Sequence, residues 1–576
     1  MSPVLKKIPF LLELFVNGSF ILLFSLLKLG KLPWGMTESV AHLWLGRLSP
    51  VVPLVILAVV VVSYFDLRSL ENFFRRYIFS LVVLVPAFIT WGDTQFAFWL
   101  SSAHLLSSIL SLYDEDPRKR RQHDEQRQRG FWLDFRLKPA QIVLLSFSGV
   151  ILLGTFLLLL PVSAADGKVI SFVDALFIST SAVCVTGLST ISVGTTFSVF
   201  GQLIVLGLIQ IGGLSIMTLY ASMTILLGRS LRMKDRILMQ DLHDADSLED
   251  LFQVVIDIIK YTFAIELWGA IVLAIGFTFE GFEFGQALYQ GFFHSISAFC
   301  NAGFSLFDNS LESFSTNSLI NFTVMALITL GGLGFIVLKE LKSSLVKGFS
   351  FNRLGLHTRV VLVTSALLTG SAAVFIFFGE FLHAFDTYSL WDKIQISLFQ
   401  SVTLRTAGFN TVPLGGLHTY TLYFMTLLMF IGGSPGSTAG GIKTTTLAIL
   451  MQSIVSTLKN KKKVEIFDRT ISSPIVVRAT AITFISIVIT SLFVLLLMRL
   501  EPDQNFLTII FEVMSAGGTV GLSLGLTSFL SFAGKLAICF VMFIGRIGPL
   551  TLILAIGQQD KDKGKFDYPE GRIMIG

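Results

Sequence analysis

The sequence is poor in charge. Of its 576 residues only 14% are Asp, Glu, Lys or Arg, and 53% are hydrophobic. A soluble domain carries roughly 25% charged residues, so a soluble globular chain is excluded. It holds three cysteines, Cys184, Cys300 and Cys539, with no CxxC pair and no Cys/His cluster. That leaves neither a disulfide framework nor a thiolate metal site. No strand-borne GxxxxGK[ST] phosphate loop is present; Gly440-Gly-Ile-Lys443-Thr-Thr has part of that pattern but sits inside an apolar stretch. No nucleophile–base or metal constellation can be read, so the chain is not read as an enzyme. The first apolar run, Phe10–Leu27, is followed by Lys28-Leu-Gly-Lys31-Leu-Pro rather than by a small-residue cleavage site, and reads as a retained helix.

What the chain has instead is apolar runs near 20 residues along its whole length, each able to cross a hydrocarbon core of about 30 Å. Within them one pattern recurs four times. The copies are Phe177-Ile-Ser-Thr-Ser-Ala, Phe293-His-Ser-Ile-Ser-Ala, Phe399-Gln-Ser-Val-Thr-Leu and Phe511-Glu-Val-Met-Ser-Ala. Each places a hydroxyl residue four positions after the Phe (Ser181, Ser297, Thr403, Ser515) and then reaches a glycine (Gly187, Gly303, Gly408, Gly521). The Phe-to-Gly offsets are 10, 10, 9 and 10, so the third copy is one residue short. Long apolar runs flank each copy, at about 140–162, 251–278, 360–384 and 473–499 before it and 198–227, 318–338, 419–457 and 528–557 after it. A second mark recurs later in each unit: Ile211-Gly-Gly-Leu, Leu330-Gly-Gly-Leu, Ile431-Gly-Gly-Ser and Ile544-Gly-Arg-Ile. The short segments cannot span a bilayer and read as re-entrant elements.

The expected architecture is therefore all-α and integral to the membrane, with four units of helix, re-entrant pore loop and helix around a pseudo-fourfold pore. The units are repeat A at 139–228, repeat B at 251–340, repeat C at 359–458 and repeat D at 470–557. Three or four further helices precede them within residues 1–116, followed by a basic linker at 117–138, and a tail closes the chain at 558–576. Lys/Arg distribution gives the orientation. Loops 117–138, 228–250, 339–359, 458–478 and 558–576 carry 27 Lys/Arg; loops 163–197, 279–317, 382–418 and 500–530 carry 3. The first set is read as cytoplasmic, with the amino terminus inside, so the four short segments enter from outside.

Four glycines at the ends of re-entrant segments suit one chemistry. A dehydrated cation needs oxygens in place of its water, and rings of backbone carbonyls supply them. Glycine permits the backbone angles that aim carbonyls at an axis. The bland alternative, packing glycines of the kind common in membrane helices, does not account for their shared register. A ten-residue Gly/Ser/Pro/Thr run, Gly432–Gly441, interrupts the 419–457 span and cannot be continuous helix, the broken-helix pattern of transport pathways. Arg546 stands where the other copies have Gly213, Gly332 and Gly433. An arginine at that depth faces a pore or cavity rather than lipid. Arg405, Glu512 and His294 read as supports of the pore segments, Cys184 and Cys300 as small residues behind the glycines. Glu266 reads equally as a functional acid or a helix contact, and Lys443 equally as a cap for freed carbonyls or a gate-tuning charge.

Four stretches then carry a resemblance: Ser-Ala-Val-Cys-Val-Thr-Gly-Leu at 181–188, Ala-Phe-Cys-Asn-Ala-Gly-Phe at 298–304, Arg-Thr-Ala-Gly-Phe-Asn-Thr at 405–411 and Gly-Gly-Ser-Pro-Gly-Ser-Thr-Ala-Gly-Gly-Ile-Lys at 432–443. Over about residues 135–576 the chain resembles the Ktr/Trk/HKT superfamily of potassium transporters, most closely membrane subunits of the KtrB/TrkH type. The resemblance implies K⁺ uptake through a selectivity filter. Its carbonyls would come from Val185, Thr186, Gly187 and Leu188; Asn301, Ala302, Gly303 and Phe304; Thr406, Ala407, Gly408 and Phe409; and Thr519, Val520, Gly521 and Leu522. Glycine at all four filter positions implies K⁺ selectivity, with Na⁺ the other ion to consider. An intramembrane gate would comprise Gly432, Gly433, Ser434, Pro435, Gly436, Ser437, Thr438, Ala439, Gly440 and Gly441, with Lys443 and Arg546. The resemblance further implies a homodimer in the plasma (inner) membrane, regulated by a cytoplasmic ring of RCK-type nucleotide-binding subunits. Contact with membrane lipid is expected, and no nucleic-acid partner. Na⁺- or H⁺-coupled symport is the competing expectation.

Overall fold

The computed structural model describes residues 139–214, residues 248–548 apart from 166 and 347, residues 551–552, and scattered positions between 17 and 102. The readings made for the 1–116 helices as a set, the 117–138 linker, the 215–247 stretch and the 558–576 tail lie outside the described residues. The chain divides into two compact units, Met1–Arg136 and Leu137–Gly576. Of the first, the described positions include a stacked Phe24–Phe98 ring pair with centroids 4.6 Å apart.

The described residues of the second unit are mostly helical. Among its described residues the α-helices longer than a single turn are α1 (Pro139–Leu158), α2 (Phe172–Val183), α3 (Val199–Gly213), α4 (Leu248–Phe279), α5 (Phe284–Phe299), α6 (Ser318–Leu333), α7 (Phe335–Val346) and α8 (Leu356–Glu380). They continue with α9 (Leu390–Thr403), α10 (Thr419–Met429), α11 (Thr444–Leu458), α12 (Ser473–Leu500), α13 (Phe506–Gly518) and α14 (Phe532–Ile547). One two-stranded hairpin, β1 (Val464–Ile466) with antiparallel β2 (Arg469–Ile471), joins α11 to α12. Among the described residues three helices are long and apolar enough to cross a membrane: Ile256–Phe279, Leu356–Glu380 and Ser473–Leu500. Their large apolar side chains, such as Trp268, Phe378, Phe484 and Leu495, are left exposed on the outside of the unit. In water that would be untenable; against lipid tails it costs nothing.

Local chemistry starts the helices where the sequence allows. Ser171 and Ser389 each precede a helix by one residue, and each hydroxyl accepts the backbone N–H of the Asp three residues on, Asp174 and Asp392 (3.1 and 3.2 Å). Ser198, Asn317 and Ser531 cap α3, α6 and α14 in the same way. The short helices α2, α5 and α9 are tied to the long helices α1, α4 and α8 through a serine two residues after the marker Phe. Ser179 donates to the Ile151 carbonyl (2.7 Å), Ser295 to that of Glu266 (2.6 Å) and Ser401 to that of Thr369 (2.5 Å). The fourth copy has Val513 at this position and relies on apolar packing.

One expectation is corrected. The apolar run 318–338 reads as one span, but α6 and α7 bend by 106° at Gly334. Gly334 has φ +95°, a conformation that side chains disfavour. The next amide, that of Phe335, leaves the helical ladder and donates to the Gly436 carbonyl (3.1 Å). The helix is thus broken by a partner 101 residues away, which no local pattern announces.

A candidate ion-conducting site

Each of α2, α5, α9 and α13 ends in the same way. Two residues before each marker glycine, the chain enters the left-handed region: Val185 (φ 55°), Asn301 (59°), Thr406 (67°) and Thr519 (54°). The glycines then take φ values of 95°, 69°, 81° and 93°. Three of the four non-glycine residues are β-branched, for which such angles cost about 1–3 kcal/mol each. A strained turn repeated four times in one register signals a geometry imposed by the site.

The one-residue deficit of the third copy has a physical cause. In three copies the helix closes with a pair of bonds of the Schellman type. In the first, Val185 N–H reaches Ala182 O (3.1 Å) and Thr186 N–H reaches Ser181 O (2.8 Å); Asn301 with Ala302 and Thr519 with Val520 do the same in the second and fourth. In the third a single shorter loop closes, with Ala407 N–H on Thr403 O (3.0 Å). One residue fewer is needed, and Gly408 still reaches its station.

The four glycines form a closed ring. A Cβ added to Gly187 would lie 2.5 Å from the Ala302 carbonyl oxygen and 3.1 Å from the Gly303 Cα. One on Gly303 would meet Ala407 O (2.7 Å) and Gly408 Cα (2.8 Å), and one on Gly408 would meet Val520 O (2.6 Å) and Gly521 Cα (3.3 Å). One on Gly521 would run into Thr186 O and lie 3.1 Å from the Gly187 Cα, which completes the circuit. Glycine is therefore required twice over, by backbone angle and by the neighbour's carbonyl.

The hydroxyl four residues after each Phe holds the strand that carries the glycine. Ser181 and Ser515 accept the N–H of Gly187 and Gly521 (both 3.1 Å). Ser297 and Thr403 instead donate to the carbonyls of Phe304 (2.7 Å) and Phe409 (2.6 Å). By contrast, no described residue donates a hydrogen bond to the carbonyls of residues 185–188, 302–303, 406–408 or 519–522. The hydroxyls of Thr186, Thr406 and Thr519 are buried and equally without a partner. With its amide turned so that nitrogen faces acceptors, Asn301 donates to the Ala298 and Ile328 carbonyls (3.1 and 3.2 Å). Outside the ring lies a cavity of about 240 Å³ lined by all four glycines, with Asp308 and Asn410 on its wall. Asn410 also donates to Glu312 (2.6 Å), a loop carboxyl that burial pushes above its ordinary value against the lowering pull of that bond.

On the other side of the ring the segment between α10 and α11 departs from helix for Ile431–Lys443. Its backbone is tied to α6: Ser434 N–H donates to Gly332 O (3.0 Å) and Thr438 N–H to Gly331 O (3.2 Å), while the Thr438 hydroxyl donates to Phe299 O at the end of α5 (3.1 Å). Within the segment Gly432 N–H meets Ile442 O (2.9 Å), the hydroxyls of Ser434 and Thr444 share a bond (2.9 Å), and Lys443 Nζ caps Ala439 O (2.7 Å). Gly440 packs directly against Thr519, under the fourth glycine strand. Arg546 of α14 donates to Thr438 O in this segment and to Gly212 O in α3, so one guanidinium bridges elements of three copies.

The remaining candidates find quieter places. His294 sits between Gln290 O (2.8 Å) and the Ser305 hydroxyl (2.9 Å), stacked on Phe307. Arg405 and Glu512 do not pair: Arg405 donates to Ser365 (3.0 Å) and Thr369 (3.5 Å), and Glu512 accepts from Ser523 (2.8 Å) and Thr527. Glu266 accepts from Gln210 of α3 (3.1 Å), with the Cys300 sulfur 3.8 Å away. Sequence reasoning had no means of finding Gln210, which is one more polar residue in an apolar run. Thr403→Val, which keeps the shape of the side chain and removes its hydroxyl, should cost about 1–3 kcal/mol by leaving the Phe409 carbonyl unpaired. Thermal unfolding of the purified protein in detergent checks this; an unchanged Tm would show that the hydroxyl does not hold the strand.

Comparison with known proteins gives the family. Residues 117–564 match the TrkH family, described as a cation transport protein. The chain is 38% identical over 447 residues to the Ktr system potassium uptake protein B of Bacillus subtilis (strain 168), covering 77% of this chain and 97% of that protein. It is 35% identical over 446 residues to the potassium/sodium uptake protein NtpJ of Enterococcus hirae, covering 77% and 98%. Among solved structures, the potassium transporter TrkH from Vibrio parahaemolyticus superimposes with a TM-score of 0.61 at 19% identity, over 84% of this chain and 96% of that one, a likeness of fold. Family match, identity over nearly the full length of its relatives and shared fold converge: the chain belongs to the TrkH family of membrane cation transport proteins, as a Ktr/Trk-type membrane subunit.

Proposed function

We propose that the chain is a K⁺-selective translocating subunit that mediates channel-like potassium uptake across the plasma membrane, with its amino terminus in the cytoplasm. In this reading the four copies are pore-loop repeats around one pseudo-fourfold axis, and the ring of Gly187, Gly303, Gly408 and Gly521 is the filter. The observation that carries it is the set of carbonyls around that ring to which no described residue donates. Buried carbonyls without partners are costly, and a dehydrated K⁺ ion at the axis supplies what they lack. The carboxyl ends of the four short helices, with their partial negative charge, favour a cation there as well. Relatives named as potassium uptake proteins support the choice of ion.

The segment 432–441 with Lys443 and Arg546 is the gate in this reading. Arg546 places a fixed positive charge on the path and, through Thr438 and Gly212, fastens the segment to α3. A regulator that pulls on the cytoplasmic ends of α7, α11 or α14 would act on that fastening. Relatives named for a Ktr system support a partner chain; we assign it as a cytoplasmic RCK-type nucleotide-binding ring acting on a homodimer of the subunit. A second reading, uptake coupled to Na⁺ or H⁺, has two observations in its favour: a relative named for potassium and sodium, and the buried acid Glu266 beside Cys300.

Gly187→Ser tests the filter. Its side chain meets the Ala302 carbonyl at a φ it disfavours, so the ring must open. K⁺/Na⁺ discrimination in tracer uptake by liposomes should then fall by roughly tenfold or more, the effect of about 1.4 kcal/mol or more; an unchanged ratio would count against the assignment. Arg546→Ala tests the gate. Basal K⁺ flux should rise with selectivity retained, and a lower flux at equal protein in the membrane would remove Arg546 from that role.

A further inference from the structure

A cluster with metal-ligand chemistry stands apart from the ring and its gate. Glu380 is the last residue of α8, His383 follows in the next turn, and His418 immediately precedes α10. One ligand atom from each of the three lies within 4.8 Å of the other two. The Glu380 carboxylate is fully buried. It accepts the His418 backbone N–H (2.9 Å) on one oxygen and faces His383 Nδ1 (3.1 Å) on the other. The two imidazoles stack with centroids 3.7 Å apart.

A buried carboxylate needs a positive partner. Among the described residues no Lys or Arg forms an ion pair with Glu380. Lys393, on the following helix, directs its ammonium instead to the Phe381 carbonyl (2.8 Å) and over the Phe381 ring. The helix dipoles oppose each other here, since the carboxylate faces the carboxyl end of α8 and the amino end of α10. Charge balance therefore falls on the imidazole side. The His383 side chain is half exposed. No described residue hydrogen-bonds to either ring nitrogen of His418, which leaves both available.

We propose that Glu380, His383 and His418 form a binding site for a divalent transition metal of the Zn²⁺ class on the face of the protein read as external. Two imidazoles and one carboxylate, with a fourth position open to water, are a familiar donor set for Zn²⁺. With Zn–N and Zn–O bonds of about 2.0–2.2 Å, a tetrahedral ion sets its ligand atoms roughly 3.3–3.5 Å apart. The Glu380–His383 pair stands slightly inside that distance, at 3.1 Å, and the site closes when the stacked rings swing so that their nitrogens converge. Bound metal ties the outer end of α8 to the start of α10, the helix that runs into the 431–443 segment.

The test uses the full-length, tag-free protein in detergent, titrated with Zn²⁺ against a chromophoric chelator and, separately, with Co²⁺. The expected result is one Zn²⁺ per chain, with a tetrahedral Co²⁺ absorption spectrum. His383→Ala, a change at an exposed side chain, should weaken binding by about tenfold or more and abolish that spectrum; His418→Ala should do the same. Zn²⁺ should also raise the Tm of the unaltered protein and leave that of His383→Ala where it was. Equal binding by the unaltered protein and His383→Ala, or an octahedral Co²⁺ spectrum, would overturn the site. The readouts are independent of ion flux, so the K⁺ reading stands or falls separately.

Discussion

A backbone carbonyl at membrane depth has no water to turn to, and the described parts of this unit are arranged around carbonyls that the protein leaves unpaired. Around the ring many polar groups are paired: serines tie short helices to long ones, Schellman bonds close the helix ends, and Lys443 caps the broken segment. At the glycine ring carbonyls of all four strands lack a donor among the described residues. The same hydroxyls that anchor each strand, Ser181, Ser297, Thr403 and Ser515, take one group per strand and leave its other oxygens free. In the proposed function those oxygens belong to the ion, and the strain at Val185, Asn301, Thr406 and Thr519 is the cost of aiming them.

The ring and the proposed gate are mechanically close. Gly440 touches Thr519, two residues before Gly521, and the Thr438 hydroxyl bonds the end of α5, four residues before Gly303. Displacement of the segment would therefore be felt at the strands above it. Arg546 is suited to hold it because a guanidinium carries several donors in a fixed fork and keeps its charge. Replacing a packing glycine of the other copies with that fork gives the fourth unit a role its sisters lack.

Much of this was legible in the sequence because it is written as short-range chemistry. The Phe-x-x-x-Ser/Thr register and the glycine nine or ten residues on belong to a helix end and its turn, which local residues specify. Even the short third copy is a local matter, one tighter bond in place of two. The Gly432–Gly441 interruption was readable because no helix tolerates that composition. What was hidden depends on residues distant in sequence. The bend at Gly334 needs the Gly436 carbonyl, the placement of Glu266 needs Gln210, and the Glu380–His383–His418 cluster needs two segments 35 residues apart. Arg405 and Glu512 read as supports of the pore segments, and each meets a hydroxyl that the sequence did not single out, Ser365 for Arg405 and Ser523 for Glu512.

The most direct measurement is a crystal structure of the protein grown with Tl⁺ or Rb⁺ in place of K⁺, recorded for anomalous scattering. The account predicts an ion peak on the axis of the four-glycine ring, within coordinating distance of carbonyls from all four strands, that is reduced when K⁺ is added back and unaffected by Na⁺ at the same concentration. A ring without such a peak, or one filled equally well by Na⁺, would contradict it.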